Sequence, residues 1–442
     1  MYKFSKKLKT FALALMVLGI LGIAYGFLTT PKDAHEVEQI LKSHESHGDG
    51  HKTATSNHDT HNEHAGKEST VNEHEEHVNH VFHQLQNRPW SAFLISAIFF
   101  FMVSLLVLVF YAIQWAAEAG WSIVLFRVME ALTAYILPGS IILFLFLLAS
   151  GFHMNHIYVW MSPEAAHDEI LQAKSWWLNI PGFLIRAFIY LAGYNIFRYL
   201  LVRNSRRLDK TKDYKTYIKT KNLAVGFLAF YGVTELFMSF DWLMSLDPHW
   251  FSQLYSFYVF ASMLVTAITV VAITTIYLKS KGYLPDVNTS HIHDLAKYMF
   301  GFSIFWTYFW FDQFMLQWYS NQPEEVVYFV PRLLGAYQIP FIAMLFLNFV
   351  LPILILVSSD FKRHNWIILI AGFFIIIGHF VDVYILISPA TVGSSFSFGI
   401  PEISSILFFS GLFLYFTFND LTKAKLKADG NPFIKESELY HF

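Results

Sequence analysis

Ten long apolar runs divide this chain, at 11–28, 91–115, 123–152, 176–202, 223–245, 251–278, 295–319, 339–357, 366–387 and 401–418. An α-helix needs roughly 20 apolar residues to cross a bilayer core at about 1.5 Å per residue. In lipid each backbone polar group must be bonded within its own segment, so such runs predict helices. The expected fold is therefore an all-α integral membrane protein with ten transmembrane helices. Composition agrees, since 55% of residues are hydrophobic and only 14% are charged, against roughly 25% charged in soluble domains. No basic stripe of the kind a nucleic-acid binder needs is present. Cysteine is absent, which excludes disulfides, thiolate metal sites, cysteine-ligated iron–sulfur clusters and covalently attached haem in this chain.

Lys and Arg gather after the even-numbered runs. They stand from Arg198 to Lys221 after the fourth, at Lys279 and Lys281 after the sixth, at Lys362 and Arg363 after the eighth, and from Lys423 to Lys427 after the tenth. The positive-inside rule then places both termini in the cytoplasm. Residues 1–30, with four lysines ahead of the apolar run and no A-x-A site behind it, read as a retained first span rather than a cleaved signal. Residues 31–89 are of another kind. They hold His35, His44, His47, His51, His58, His61, His64, His74, His77, His80 and His83 in mostly polar company. Such a segment cannot bury enough apolar surface to order itself, which predicts a largely disordered periplasmic loop, with an amphipathic helix over 74–86. His-rich tracts bind zinc, copper or nickel, although a solvated loop that meets metal only adventitiously is the plainer reading.

A faint echo links the two halves of what remains. Asp241 stands seven residues before Pro248 and Asp382 seven before Pro389, while Pro181 and Pro340 each open the preceding span. The pattern predicts two parallel four-helix bundles, spans 2–5 over 90–250 and spans 6–9 over 251–390. The first span and the last, with its cytoplasmic tail at 391–442, flank them.

Ionisable residues inside these runs bear on function. An ionised carboxylate at bilayer depth costs about 2.5–3.5 kcal/mol on insertion scales, so an anchor helix would not carry two. The run at 223–245 carries Glu235 and Asp241, about 9 Å apart along a helix, a spacing suited to two stations of a proton relay. Span 3 adds Arg127 and Glu130 on one face, span 4 adds Arg186, and span 7 adds Asp312. Span 9 has His379 and Asp382 at i and i+3, an imidazole beside a carboxylate. Only His379 is a deep histidine, so no haem is expected. Motifs for zinc proteases and nucleotide binding are missing. At the outer edge His153, His156, Asp247 and His249, with Trp160 and Trp250, frame either an aromatic belt or a quinone ring.

Several stretches go further. FRVMEALTAYILPG, HMNHIYVWM, TELFMSFDWLMSLDPHWFS, SHIHDLAKYMFGFSIFWTY, NQPEEVVYF and GHFVDVYILISPATVG closely resemble a membrane subunit of bacterial alternative complex III. That family is described as the second quinone-binding subunit of a quinol:cytochrome c oxidoreductase and belongs with polysulfide-reductase-type membrane subunits. The resemblance runs from the first span to NPFIKES and implies a home in the bacterial inner membrane. It implies as partners a homologous membrane subunit, an iron–sulfur subunit, multihaem cytochrome c subunits and a terminal oxidase. Menaquinone is the implied cofactor, with no haem or iron–sulfur cluster in this chain. Enzymatic activity is then a property of the complex, and the expected contribution is a proton path, through Glu130, Arg186, Glu235, Asp241, Asp312, His379 and Asp382, and a quinone site.

Two other readings are compatible with the residues. A secondary transporter of metal cations would use the His-rich loop as a collector and hold a metal deep in the bundle. A docking scaffold would simply pair its buried charges internally.

Overall fold

A computed structural model of the chain describes residues 2–31, 66–393 and 398–441. Of the histidines of the His-rich segment only His83 has a described side chain, and the disorder expected over 32–65 and the metal binding expected of the other histidines lie outside the described residues.

Helices dominate, and no strand occurs among the described residues. The first is α1, Lys6–Leu28, with Ser5 accepting from the Leu8 amide as its cap. Next comes α2, Gly66–Ala116. It does not start near 90 as expected, but runs through Pro89 and takes in the predicted surface helix. After it come α3, Phe126–Leu132, and α4, Ile136–Gly151, joined by a 3-10 turn. A short α5, Glu169–Lys174, precedes α6, Ile180–Thr211, and α7, Tyr214–Trp242. Asn179 accepts from the Gly182 amide and Pro181 sits in the first turn, so α6 begins after Trp176 and Trp177 and leaves both outside the helix.

The other half follows with α8, Tyr255–Ser280, and α9, Thr289–Ser320, then α10, Gln338–Leu345, and α11, Leu351–Leu356. It ends with α12, Asn365–Thr391, α13, Ile400–Asp420, and α14, Ile434–Glu438. Between α10 and α11 the backbone makes a π turn over Phe346–Val350. Its cause is in the sequence: Pro352 has no N–H to give the Asn348 carbonyl four residues back.

Among the described residues nine helical segments are long and apolar enough to cross a membrane, which makes this an all-α membrane protein. The predicted seventh span, α9, is as long as α6, but Trp, Tyr, Gln and Asp312 crowd its C-terminal half and it is not one of the nine. α2 is the central post, packed against α4, α7, α8, α12 and α13. α6 lies along α7, and α9 along α8. α1 and α13 form the closest pair, because glycine lets their backbones meet: a methyl on Gly19 would stand 2.5 Å from the Phe408 nitrogen, and one on Gly411 would stand 2.6 Å from the Ala12 carbonyl.

At the end carrying the basic loops, an ion network closes the bundle. Arg127 donates to both oxygens of Glu130 at 2.6 Å and to Asp209 at 2.5 Å, while Tyr111 and Ser205 donate to the same Glu130. Arg206 reaches Glu130 at 3.4 Å and Asp420 at 2.5 Å. The C-terminal tail locks over it: the Gly430 amide donates to Asp209, and Ser437 donates to the Trp121 carbonyl. Gly19→Leu should cost about 2 kcal/mol by overpacking against backbone that cannot yield. A lowered melting temperature of the detergent-purified chain is the measurement.

Candidate functional site

Two fully buried aspartates organise the interior, one in each half. Asp241 sits near the end of α7. Arg186, on α6, grips it through two parallel bonds of 2.8 Å, from Nε and Nη2. Trp177 Nε1 donates at 2.8 Å and the Tyr190 hydroxyl at 3.1 Å, so both oxygens are shared by several donors. The guanidinium also lies over the Trp177 ring, 4.1 Å from its centroid. This is possible only because α6 starts late: Asn179 turns the chain and leaves Trp177 free to fold back over the carboxylate.

Asp382, on α12, has a matching set. Tyr258 on α8 donates to Oδ1, while Ser262, one turn further along α8, and Trp306 Nε1 on α9 donate to Oδ2 at 2.7 and 3.0 Å. In place of arginine stands His379, fully buried, with Nδ1 2.9 Å from the Ser262 hydroxyl and 3.5 Å from the carboxylate. The Trp306 ring meets the imidazole edge to face at 5.2 Å. Each aspartate thus takes a tryptophan N–H and a tyrosine hydroxyl. They differ in the cation.

Beside the second cage several buried polar groups have no hydrogen-bond partner among the described residues. His379 Nε2, both side-chain atoms of Asn348 and the Ser303 hydroxyl are in this state. Asn348 lies in the π turn, pressed on Gly378: a methyl there would come 2.0 Å from Asn348 Oδ1. The π turn packs against both α9 and α12, and Ser303 precedes Trp306 by three residues on one face of α9. Glu235 lies where α7 meets α8. Its Oε1 accepts from Ser239 at 3.1 Å and its main-chain carbonyl accepts from Ser256.

The remaining candidates stand elsewhere. Glu130 is saturated by the ion network at the basic end, and Arg186 and Arg206 are 20 residues apart on α6, which sets the two arginine clusters about 30 Å apart. Asp312 is half-buried on α9 and makes no hydrogen bond or ion pair with any described residue.

The expected quinone edge does not converge. His153 is exposed at positive φ. His156 is held through its main chain by Asn87, and its ring stacks edge-on with His83. His249 turns the other way and lies 2.6 Å from Asp168, whose carboxyl it holds below the ordinary range. Burial pushes Asp247 up, against the pull of Arg332, His249 and Lys174. A different feature opens at this end, a groove of about 360 Å³ lined by Trp176, Trp177, Phe237, Phe240, Met244 and Trp250, with Lys174 at its rim. Trp177 connects it to Asp241.

A scan against protein-family models and a search of curated proteins both find no match to this chain. The functional reading therefore rests on the residues themselves.

Trp177, Tyr190, Tyr258, Ser262 and Trp306 were not singled out from the sequence, since tyrosine, serine and tryptophan are frequent in apolar runs and carry no charge signal. Arg332 did carry one. It is the only Lys or Arg between Lys297 and Lys362, and it is buried, stacked 3.5 Å over the Tyr328 ring, which stacks in turn on Trp250. It closes the far end between the halves. Asp241→Asn leaves the Arg186 guanidinium without its counter-ion, and the expected loss is about 3 kcal/mol of stability, read as a lower denaturation midpoint. Asp312→Asn, which breaks no bond in this chain, should leave that midpoint in place.

Proposed function

We propose that this chain is a membrane subunit of a quinol:cytochrome c oxidoreductase of the alternative complex III type, and that it moves protons while partner subunits carry electrons. In this reading it crosses a bacterial inner membrane ten times with both termini in the cytoplasm. α2 to α7 and α8 to α12 form its two four-helix bundles. Its partners are a homologous membrane subunit, an iron–sulfur subunit and multihaem cytochromes.

The observation that carries the proposal is the pair Asp382 and His379. Both are fully buried, and among the described residues no ionisable side chain besides Tyr258 bonds to the pair. A buried site without a permanent cation favours electroneutrality, which one proton shared between carboxylate and imidazole provides. Imidazole can accept at one nitrogen while releasing from the other. Ser262 bridges Nδ1 and the carboxylate, and Nε2 is left for exchange. Asn348 and Ser303, on the neighbouring elements, supply the unbonded polar lining that internal water requires. Asp241 differs: Arg186 matches its charge permanently, so it fixes a field and Glu235, six residues inward, is the exchangeable station of its helix.

The groove beside Trp177 fits menaquinone, since its lining is flat, aromatic and apolar. Trp176, Trp177, Phe237, Met244 and Trp250 would hold the ring and the start of its tail. A quinol there would supply two electrons and two protons. Trp177, bonded to Asp241, couples that groove to the first cage.

Asp382→Asn tests the central claim in the reconstituted complex, with electron transfer and proton release followed together. Proton movement should slow by about 100-fold, the usual worth of a positioned acid–base group, while the haems still reduce. If both rates match the parent, the relay does not run through this pair.

A further inference from the structure

The carboxylate that joins neither cage points to a contact outside this chain. α9 turns one stripe outward, with Phe305, Tyr308, Phe311, Met315 and Leu316 all at least 36% exposed at helical spacing. Asp312 lies in the middle of that stripe. The carboxylates of Glu130, Glu235, Asp241 and Asp382 each accept at least one bond from a protein donor. Asp312 accepts none from any described residue. On the ten-span reading proposed above, on which this inference rests, α9 lies among acyl chains, where an unbonded carboxylate is unfavourable and the helix that carries it is normally turned toward protein. The stripe's composition agrees, because aromatic residues and methionine are what the core of a protein interface is rich in. Gly301 continues it one turn inward. A methyl there would meet no described residue within 4 Å, so none of them requires a glycine that weakens the helix. Small residues of this kind let a second helix come close.

We propose that this face of α9 is an interaction surface for a transmembrane helix of a different polypeptide, one that sets a lysine or arginine opposite Asp312. Charge decides against a second copy of this chain. Two copies in one membrane are related by an axis along its normal, which brings equal positions to equal depth and sets Asp312 against Asp312. A cation on another chain removes that conflict and completes the carboxylate with charge-assisted bonds. The partner helix then packs along Phe305, Tyr308, Phe311 and Met315, with its closest approach at Gly301.

The test places a photo-crosslinking amino acid at Phe311 or Met315 of the full chain in its native membrane and sequences the adducts. The expected adduct is a transmembrane helix of another protein with Lys or Arg within one turn of the joined residue. Asp312→Leu should reduce recovery of that protein by about tenfold or more, and Asp312→Glu should restore it. Exchange of charges, Asp312→Lys with the partner cation made acidic, should restore it as well. Asp312→Leu should leave the melting temperature of the isolated chain unchanged, which separates a lost partner from a lost fold. Adducts with lipid alone, with a second copy of this chain, or with a helix that has no cation at this depth would each overturn the proposal.

Discussion

A carboxylate taken out of water must find donors inside the protein, and the interior here is arranged around that requirement. Asp241 ties α7 to α6 and to the segment that precedes α6. Asp382 ties α12 to α8 and α9. Glu130, Asp209 and Asp420 tie α3, α6 and α13 to one another and to the C-terminal tail. Apolar packing gives little direction between helices in lipid, where tails are as apolar as leucine. Directional bonds to buried acids therefore do much of the work of fixing which helix meets which.

The broad architecture was legible from the apolar runs because helix length in a bilayer is set by geometry. Pairs on one helix were legible too: Arg127 with Glu130, and His379 with Asp382, follow from i, i+3 spacing alone. Arg186 meets Asp241 across adjacent helices, a contact that spacing along one helix does not report. Less visible were the uncharged donors, since a tyrosine that bonds a carboxylate looks like any tyrosine in an apolar run. The residues of the quinone edge are held by separate partners: His156 is pinned by Asn87 of α2, while His249 is drawn to Asp168. Asp312 shows the same limit, because depth is read from sequence more easily than direction.

The π turn illustrates how a local backbone defect becomes a polar site. Pro352 leaves the Asn348 carbonyl without its usual donor, and the wider turn rotates the Asn348 side chain inward against Gly378. An alanine at 378 would refuse it. Proline, asparagine and glycine on two helices thus act together, although no one of them is unusual in a membrane segment. The result is a set of polar groups, unbonded among the described residues, next to the buried imidazole of His379.

The two cages share a tryptophan and a tyrosine but use different cations, and that difference separates what they can do. A guanidinium stays charged under any condition the protein meets, so the Arg186–Asp241 pair is neutral as built and gains nothing from a proton. Imidazole changes charge near physiological pH, so the His379–Asp382 pair can be neutral only with a proton aboard and carries net charge without it. A pair of the first kind holds helices in place. One of the second kind can be loaded and emptied. The donors around the two aspartates come from different helices, so it is the choice of cation, and not a shared cage, that separates a structural clasp from a site that responds to protons.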